Sequence, residues 1–192
     1  MKRNFGQKGF TLVELAIVMV IIGLMIGAVL KGQAMIDDAK QKRLMNDMQG
    51  ISAAYFTYFD RYNAIAGDDT STHSWAGMAA GDGDGVIEGA NTTNGQEAHE
   101  FWQALRYAGL LSGDPAATGA AHLQSHPFGS TYETGSRTFV GIGTKNYIQA
   151  TGVSGEIAER VDLKFDDGVW NTGTVAGSVA YTNATVDLFY GL

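Results

Sequence analysis

No cysteine occurs in these 192 residues, so a disulfide framework, a thiolate metal site and a cysteine nucleophile are all excluded. Proline is almost missing as well: Pro115 and Pro127 are the only two, and both fall in 112–128, a segment that reads as loop. Basic residues are few beside the acidic ones, 13 Lys and Arg against 20 Asp and Glu for a formal net charge of −7. Three of those 13, Lys2, Arg3 and Lys8, crowd into the first nine residues, which leaves ten for the rest of the chain. Nucleic acid is therefore disfavoured as a partner of the globular part, because phosphate binding relies on cationic contacts. Histidine is limited to His73, His99, His122 and His126. None shows a spacing such as His-Glu-x-x-His, so no zinc site is indicated and each is expected on the surface or in a loop. Gly141-Ile142-Gly143-Thr144-Lys145 lacks the remaining glycines of a phosphate-binding loop and reads as a strand end. No nucleophile and base can be paired by spacing, and no catalytic residue is assigned.

Charge is missing again from 10–30, with one exception, Glu14. At about 1.5 Å per helical residue this apolar run is roughly 30 Å long, enough to span a bilayer. The leader before it, 1–9, has three cations and no acid; the positive-inside bias puts Met1 in the cytoplasm and the chain after Leu30 outside. A carboxylate in hydrocarbon costs about 2.5–3.5 kcal/mol, so a segment that served only as an anchor would be expected to lack Glu14. Gly23 and Gly27 form a small-xxx-small pair that lets a second helix approach closely. Gly27 and Gly32 also soften the helix, each by up to about 1 kcal/mol relative to alanine.

Lys8-Gly9-Phe10-Thr11-Leu12-Val13-Glu14-Leu15 closely resembles the N-terminus of type IV filament subunits, the type IV pilins and the pseudopilins of type II secretion. The resemblance implies cleavage between Gly9 and Phe10 by a prepilin peptidase, N-methylation of Phe10, and Glu14 facing the Phe10 amine of a neighbouring subunit. A small residue before the cut, here Gly9, suits a narrow protease subsite. The implied partners are copies of the chain or related pilins, the peptidase, the membrane and an inner-membrane assembly platform. The implied location is the inner membrane for the precursor, then a periplasmic pseudopilus or a surface filament. The chain departs from many type IV pilins in lacking a C-terminal disulfide and the proline of the mature helix, whose neighbourhood here reads Leu30-Lys31-Gly32-Gln33. The missing disulfide leans toward major pseudopilins. The alternative is a membrane-anchored periplasmic enzyme or binding protein that does not polymerise.

After Leu30 the pattern becomes amphipathic. Met35, Ile36, Ala39, Leu44, Met48, Ile51, Tyr55, Tyr58 or Phe59, and Tyr62 form a helical stripe, and Asn63, Ala66 and Gly67 mark its end. The expected organisation is a removable leader over 1–9, a transmembrane and assembly helix over 10–30, an amphipathic helical half over 31–62 and a globular head over 63–192. A second helix is expected over 96–111, with Phe101, Trp102, Leu105, Ala108 and Leu111 on or near one face and Glu97 and Glu100 favouring its start through the dipole. Short strands are expected at 138–142, 146–150, 161–165, 175–181 and 185–190. In the third of these, Val161, Leu163 and Phe165 would face the helix and Asp162 and Lys164 the solvent, with Asp166-Asp167-Gly168 turning the chain. The fold class is α+β: a long N-terminal helix on a C-terminal antiparallel sheet, the arrangement the resemblance implies for a pilin head.

Between the helices lies a Gly- and Asp-rich stretch, 63–95, containing Gly81-Asp82-Gly83-Asp84-Gly85-Val86-Ile87-Glu88-Gly89. Alternate acids on a glycine-rich turn can bring carboxylates and a carbonyl around a hard cation such as Ca2+, which takes six to eight oxygens. Asp82, Asp84, the Val86 carbonyl and Glu88 are the natural set, with Asp68 and Asp69 completing the shell from upstream. This is no EF-hand, since Thr93 stands where the closing glutamate belongs. The same residues also suit a solvated turn.

Overall fold

The computed structural model describes residues 9–139 and 143–192. Residues 1–8 of the leader lie outside the described residues, as does the end of the strand expected over 138–142, with Gly141 and Ile142 of the glycine fragment.

One helix, α1 (Leu12–Tyr62), runs through the apolar segment and the stripe after it without a break. It closes where expected: Asn63 takes a positive φ of 51° and its N–H donates to the Phe59 carbonyl at 2.7 Å, the left-handed helix end that asparagine tolerates. The chain divides into two compact units, Met1–Ala39 and Lys40–Leu192. In the first, the large apolar side chains of α1 are exposed throughout. Met35 and Ile36, expected on the amphipathic stripe, are 67% and 56% exposed and extend that apolar surface instead. Burial begins at Gln41 and then follows the helical repeat through Leu44, Met48, Ile51, Tyr55 and Tyr58.

In the second unit, α2 (Glu97–Tyr107) follows the long loop, and a 3₁₀ turn, Gly119–His122, sits in the loop after it. A four-stranded sheet comes next, built from β1 (Tyr132–Phe139), β2 (Gly143–Ser154), β3 (Val175–Gly177) and β4 (Thr185–Gly191), in the order β1-β2-β4-β3 with every pair antiparallel. Its inward residues Tyr132, Ile148, Ala150, Val153, Val186 and Leu188 share one core with the α1 stripe and with Phe101, Trp102 and Leu105 of α2. The architecture is α+β and pilin-like.

One expected strand is a helix. Residues 161–165 belong to α3 (Gly155–Phe165). Their alternation is accidental: Val161 is buried but Leu163 is 62% exposed, and Asp162, expected in solvent, is fully buried. The helical signal lay just upstream, in Ala158 and Val161 at i,i+3 and in the Glu156–Arg160 pair at i,i+4. Of the histidines, His99 departs from expectation by lying buried in α2; His122 and His126 lie in the loop after it but are buried there. The His99 and His122 rings meet edge to face at 4.2 Å. His126 spans a turn, its Nε2 bonded to the Thr151 carbonyl and its Nδ1 accepting from the Phe128 N–H, which requires the Nε2–H tautomer.

Candidate functional site

Gly9 and Phe10 are exposed and precede the first turn of α1. Thr11 begins the helix together with Glu14. The Glu14 N–H donates to Thr11 Oγ1 at 3.2 Å, while Glu14 Oε2 accepts both the Thr11 N–H at 2.8 Å and the Thr11 hydroxyl at 2.9 Å. Thr-x-x-Glu is thus a capping box, which satisfies donors that the first turn of a helix leaves without partners. The motif is present in the sequence, but the apolar run around it makes the cost of Glu14 more conspicuous than its local partner. Among the described residues, a Cβ at Gly9, Gly23, Gly27 or Gly32 would meet nothing within 4 Å beyond its chain neighbours and, in α1, the helix's own nearby backbone. None of these glycines is therefore demanded by the packing of the chain on itself.

The acidic loop is held from three sides. Asp68, buried at the start of the loop, accepts the Gly83 N–H at 2.6 Å and the Gly85 N–H at 2.7 Å, one on each oxygen. Gly83 and Gly85 have φ of +80° and +94°, a backbone that side-chain-bearing residues rarely adopt, and this turns both N–H groups toward Asp68. From α2, Glu97 accepts the Asp82 N–H on Oε1 and the Glu88 N–H on Oε2. From β2, Asn146 accepts the Ile87 N–H and donates to the Gly85 carbonyl. Glu97 and Glu100 therefore do more than meet the helix dipole. Glu100 is buried and accepts N–H groups from Ala79 and Gly95. Burial pushes the Glu97 carboxyl up, against the pull of the Asp82 and Glu88 N–H groups, and the Asp68 and Asp82 carboxylates push it further.

Of the residues proposed from sequence as metal ligands, the structure brings together Asp82, Asp84 and Asp68, with one oxygen of each within 4.8 Å of the others. Asp82 Oδ1 accepts the Asp84 N–H and Asp84 Oδ1 the Val86 N–H, which leaves Oδ2 of each for another partner. The donor set is all oxygen, the chemistry that hard cations select, and it fits such an ion. Glu88 is exposed and contributes its N–H to Glu97. Asp69 is committed elsewhere: its Oδ2 accepts the Tyr58 hydroxyl and pairs with His73 Nε2, both at 2.8 Å, and its Oδ1 accepts the Ser71 N–H.

Residues 4–30 match the prokaryotic N-terminal methylation motif. No curated protein and no solved structure matches the chain. The match begins in the basic leader, crosses Gly9-Phe10 and the Thr11–Glu14 capping box, and ends where the apolar run ends at Leu30. With the long helix that follows, this chain carries the class III signal of type IV pilins and pseudopilins.

Proposed function

We propose that this chain is a structural subunit of a type IV pilus-like filament or a type II secretion pseudopilus. It is made as an inner-membrane precursor, cut between Gly9 and Phe10 by prepilin peptidase, methylated on Phe10 and assembled through α1. The observation that carries this reading is the methylation motif at the head of a helix whose first half exposes its apolar side chains and which is long and apolar enough to cross a membrane. The open space that the described residues leave around Gly23 and Gly27 supports it. The smallness of Gly9 then answers to the peptidase, and that of Gly23 and Gly27 to neighbouring helices.

Glu14 has two duties in this reading. Its Oε2 caps α1, and its negative charge meets the Phe10 amine of a neighbour in the filament, where methylation keeps the amine charged. The two duties separate by substitution. Glu14→Gln keeps the capping box, which accepts Glu or Gln at this position, but removes the charge; Glu14→Ala removes both. Breaking one member of a buried ion pair costs about 3–5 kcal/mol, so both variants should be inserted and cleaved yet enter filaments poorly. Wild-type abundance of Glu14→Gln filaments in sheared fractions would reduce the residue to a cap, and normal Glu14→Lys filaments would contradict the pairing altogether.

Asp68, Asp82 and Asp84 are the residues that would hold a calcium ion in the head, stabilising the loop that α2 and β2 already fix. Binding to the folded state alone raises stability with ion concentration relative to the dissociation constant. Added Ca2+ should therefore raise the melting temperature of the purified chain, Mg2+ less so, and Asp84→Ala should blunt the response. A melting temperature indifferent to chelator in the wild type would return the loop to a solvated turn.

A further inference from the structure

We infer that residues 112–122 form an acid-released flap, which covers the polar side of α2 at neutral pH and comes away when His122 takes up a proton. The segment follows α2 and has no large apolar side chain between Leu111 and Leu123. His122 is the one buried residue within it. Little apolar surface therefore fastens the flap, and such a segment opens while the rest of the head stays folded.

Polar bonds from α2 hold it instead. Arg106 Nε donates to the Ser112 carbonyl at 3.2 Å, Arg106 Nη2 donates to the His122 carbonyl, and Gln103 Nε2 reaches the Ala117 carbonyl at 3.4 Å. His99, Gln103 and Arg106 share one side of the helix at i, i+4 and i+7, while Phe101 and Leu105 on the other side stay in the core. The contact is poorly satisfied. Among the described residues, six buried side-chain nitrogen and oxygen atoms have no hydrogen-bond partner, and five of them lie here: His99 Nε2, Gln103 Oε1, Arg106 Nη1 and both ring nitrogens of His122. The Gly119 and Asn91 carbonyls approach the His122 ring without reaching hydrogen-bond geometry. Each of the five atoms regains water when the flap opens, which narrows the gap between the closed and open states.

The charges around His122 decide what a proton does there. Its ring meets the His99 ring edge to face at 4.2 Å, and Arg106 is buried beside it with its guanidinium on carbonyl oxygens. Glu100, the buried acid of α2, is already bonded to His99 Nδ1 and to the Ala79 and Gly95 N–H groups. Asp114 of the flap is exposed. Arg43 and Asp47 of α1 and Tyr132 of β1 line a groove of about 440 Å3 with His122, and Asp47 is held there by the Tyr132 hydroxyl and by Arg43. A cationic His122 thus meets Arg106 where every acid is either exposed or already bonded. Burial, His99 and Arg106 keep the closed ring neutral, with a pKa of about 4 against 6.5 once the flap is open. Protons therefore favour opening: the opening equilibrium is level above pH 6.5 and rises about tenfold per pH unit from there toward pH 4.

Hydrogen exchange on the full chain in detergent, read by mass spectrometry and corrected for the intrinsic effect of pH, tests the flap. Its reporters are the Ala117 and Leu123 N–H groups, which bond to the Asp114 and Ala120 carbonyls in turns too short to persist alone. Their protection should fall about a hundredfold between pH 7 and pH 4, while the Phe101 and Leu105 N–H groups of α2 remain protected. His122→Gln removes the titrating group, so its flap should exchange at a rate independent of pH over this range, whether it rests closed or open. A wild-type flap whose protection does not change with pH would overturn the inference, as would an equal fall in His122→Gln. An equal loss at Phe101 and Leu105 would also overturn it, because the head would then be unfolding as one body.

Discussion

Asp68 and Asp69 are adjacent in sequence and face different elements: Asp68 gathers the N–H groups of the glycine turn, while Asp69 fastens the loop to Tyr58 of α1. Composition made both look like upstream ligands; the structure groups Asp68 with Asp82 and Asp84 but commits Asp69 to Tyr58, a partner remote in sequence. Gly81 is part of the same arrangement. A Cβ there would lie 2.4 Å from Asp68 Cα, so Gly81→Ala forces backbone apart and should cost about 1–3 kcal/mol in denaturant unfolding, with a weaker calcium response. His122 shows the opposite kind of legibility, a residue that spacing dismissed and burial makes important. Burial, then His99 and Arg106, hold its pKa down to about 4. The unfolded chain, near 6.5, takes up this proton first, so the stability that neutral His122 contributes is complete above about 6.5 and is lost as pH falls toward 4. The size of the loss is about 3 kcal/mol for a shift of this order. Chemical unfolding at pH 7 and pH 4 should show a smaller difference for His122→Gln than for wild type.

Among the elements, the long periodic segments were readable, and so were the short strands over 146–150 and 185–190, but the run at 161–165 was not. The α1 stripe and the face of α2 repeat often enough for the helical period to stand out, whereas five alternating residues at 161–165 fit a strand only by coincidence. The sequence also had no way to show how α2 is locked to the sheet. Trp102 Nε1 donates to Asn91 Oδ1, which also accepts the Thr134 N–H, and Asn91 Nδ2 donates to the Thr134 carbonyl. Trp102 is fully buried, so Trp102→Ala should cost about 3–5 kcal/mol of head stability. In the proposed function the peptidase reads the leader, so cleavage of the precursor should be unchanged. A loss of cleavage equal to the loss of folding, seen by comparing precursor and mature bands, would mean that the head takes part in recognition.

For the whole molecule, the methylation motif was legible in sequence, whereas the packing of the head was not. The leader, Gly9, the Thr11–Glu14 box and the apolar run are contiguous, so their meaning survives in a linear reading. The acidic loop draws Asp68 from upstream to the Asp82 and Asp84 that the sequence pattern names with it, but the fold decides that Asp69 and Glu88 stay out of the group. In the proposed function the leader is cut away just before α1, and the helix then polymerises. The most direct measurement is the mass of the N-terminal peptide of the chain recovered from sheared filaments. The account predicts a peptide beginning at Phe10 and heavier by one CH2, the net gain when a methyl group replaces a hydrogen on the amine. A chain that retains Met1, stays in the membrane fraction and is missing from filaments would contradict it.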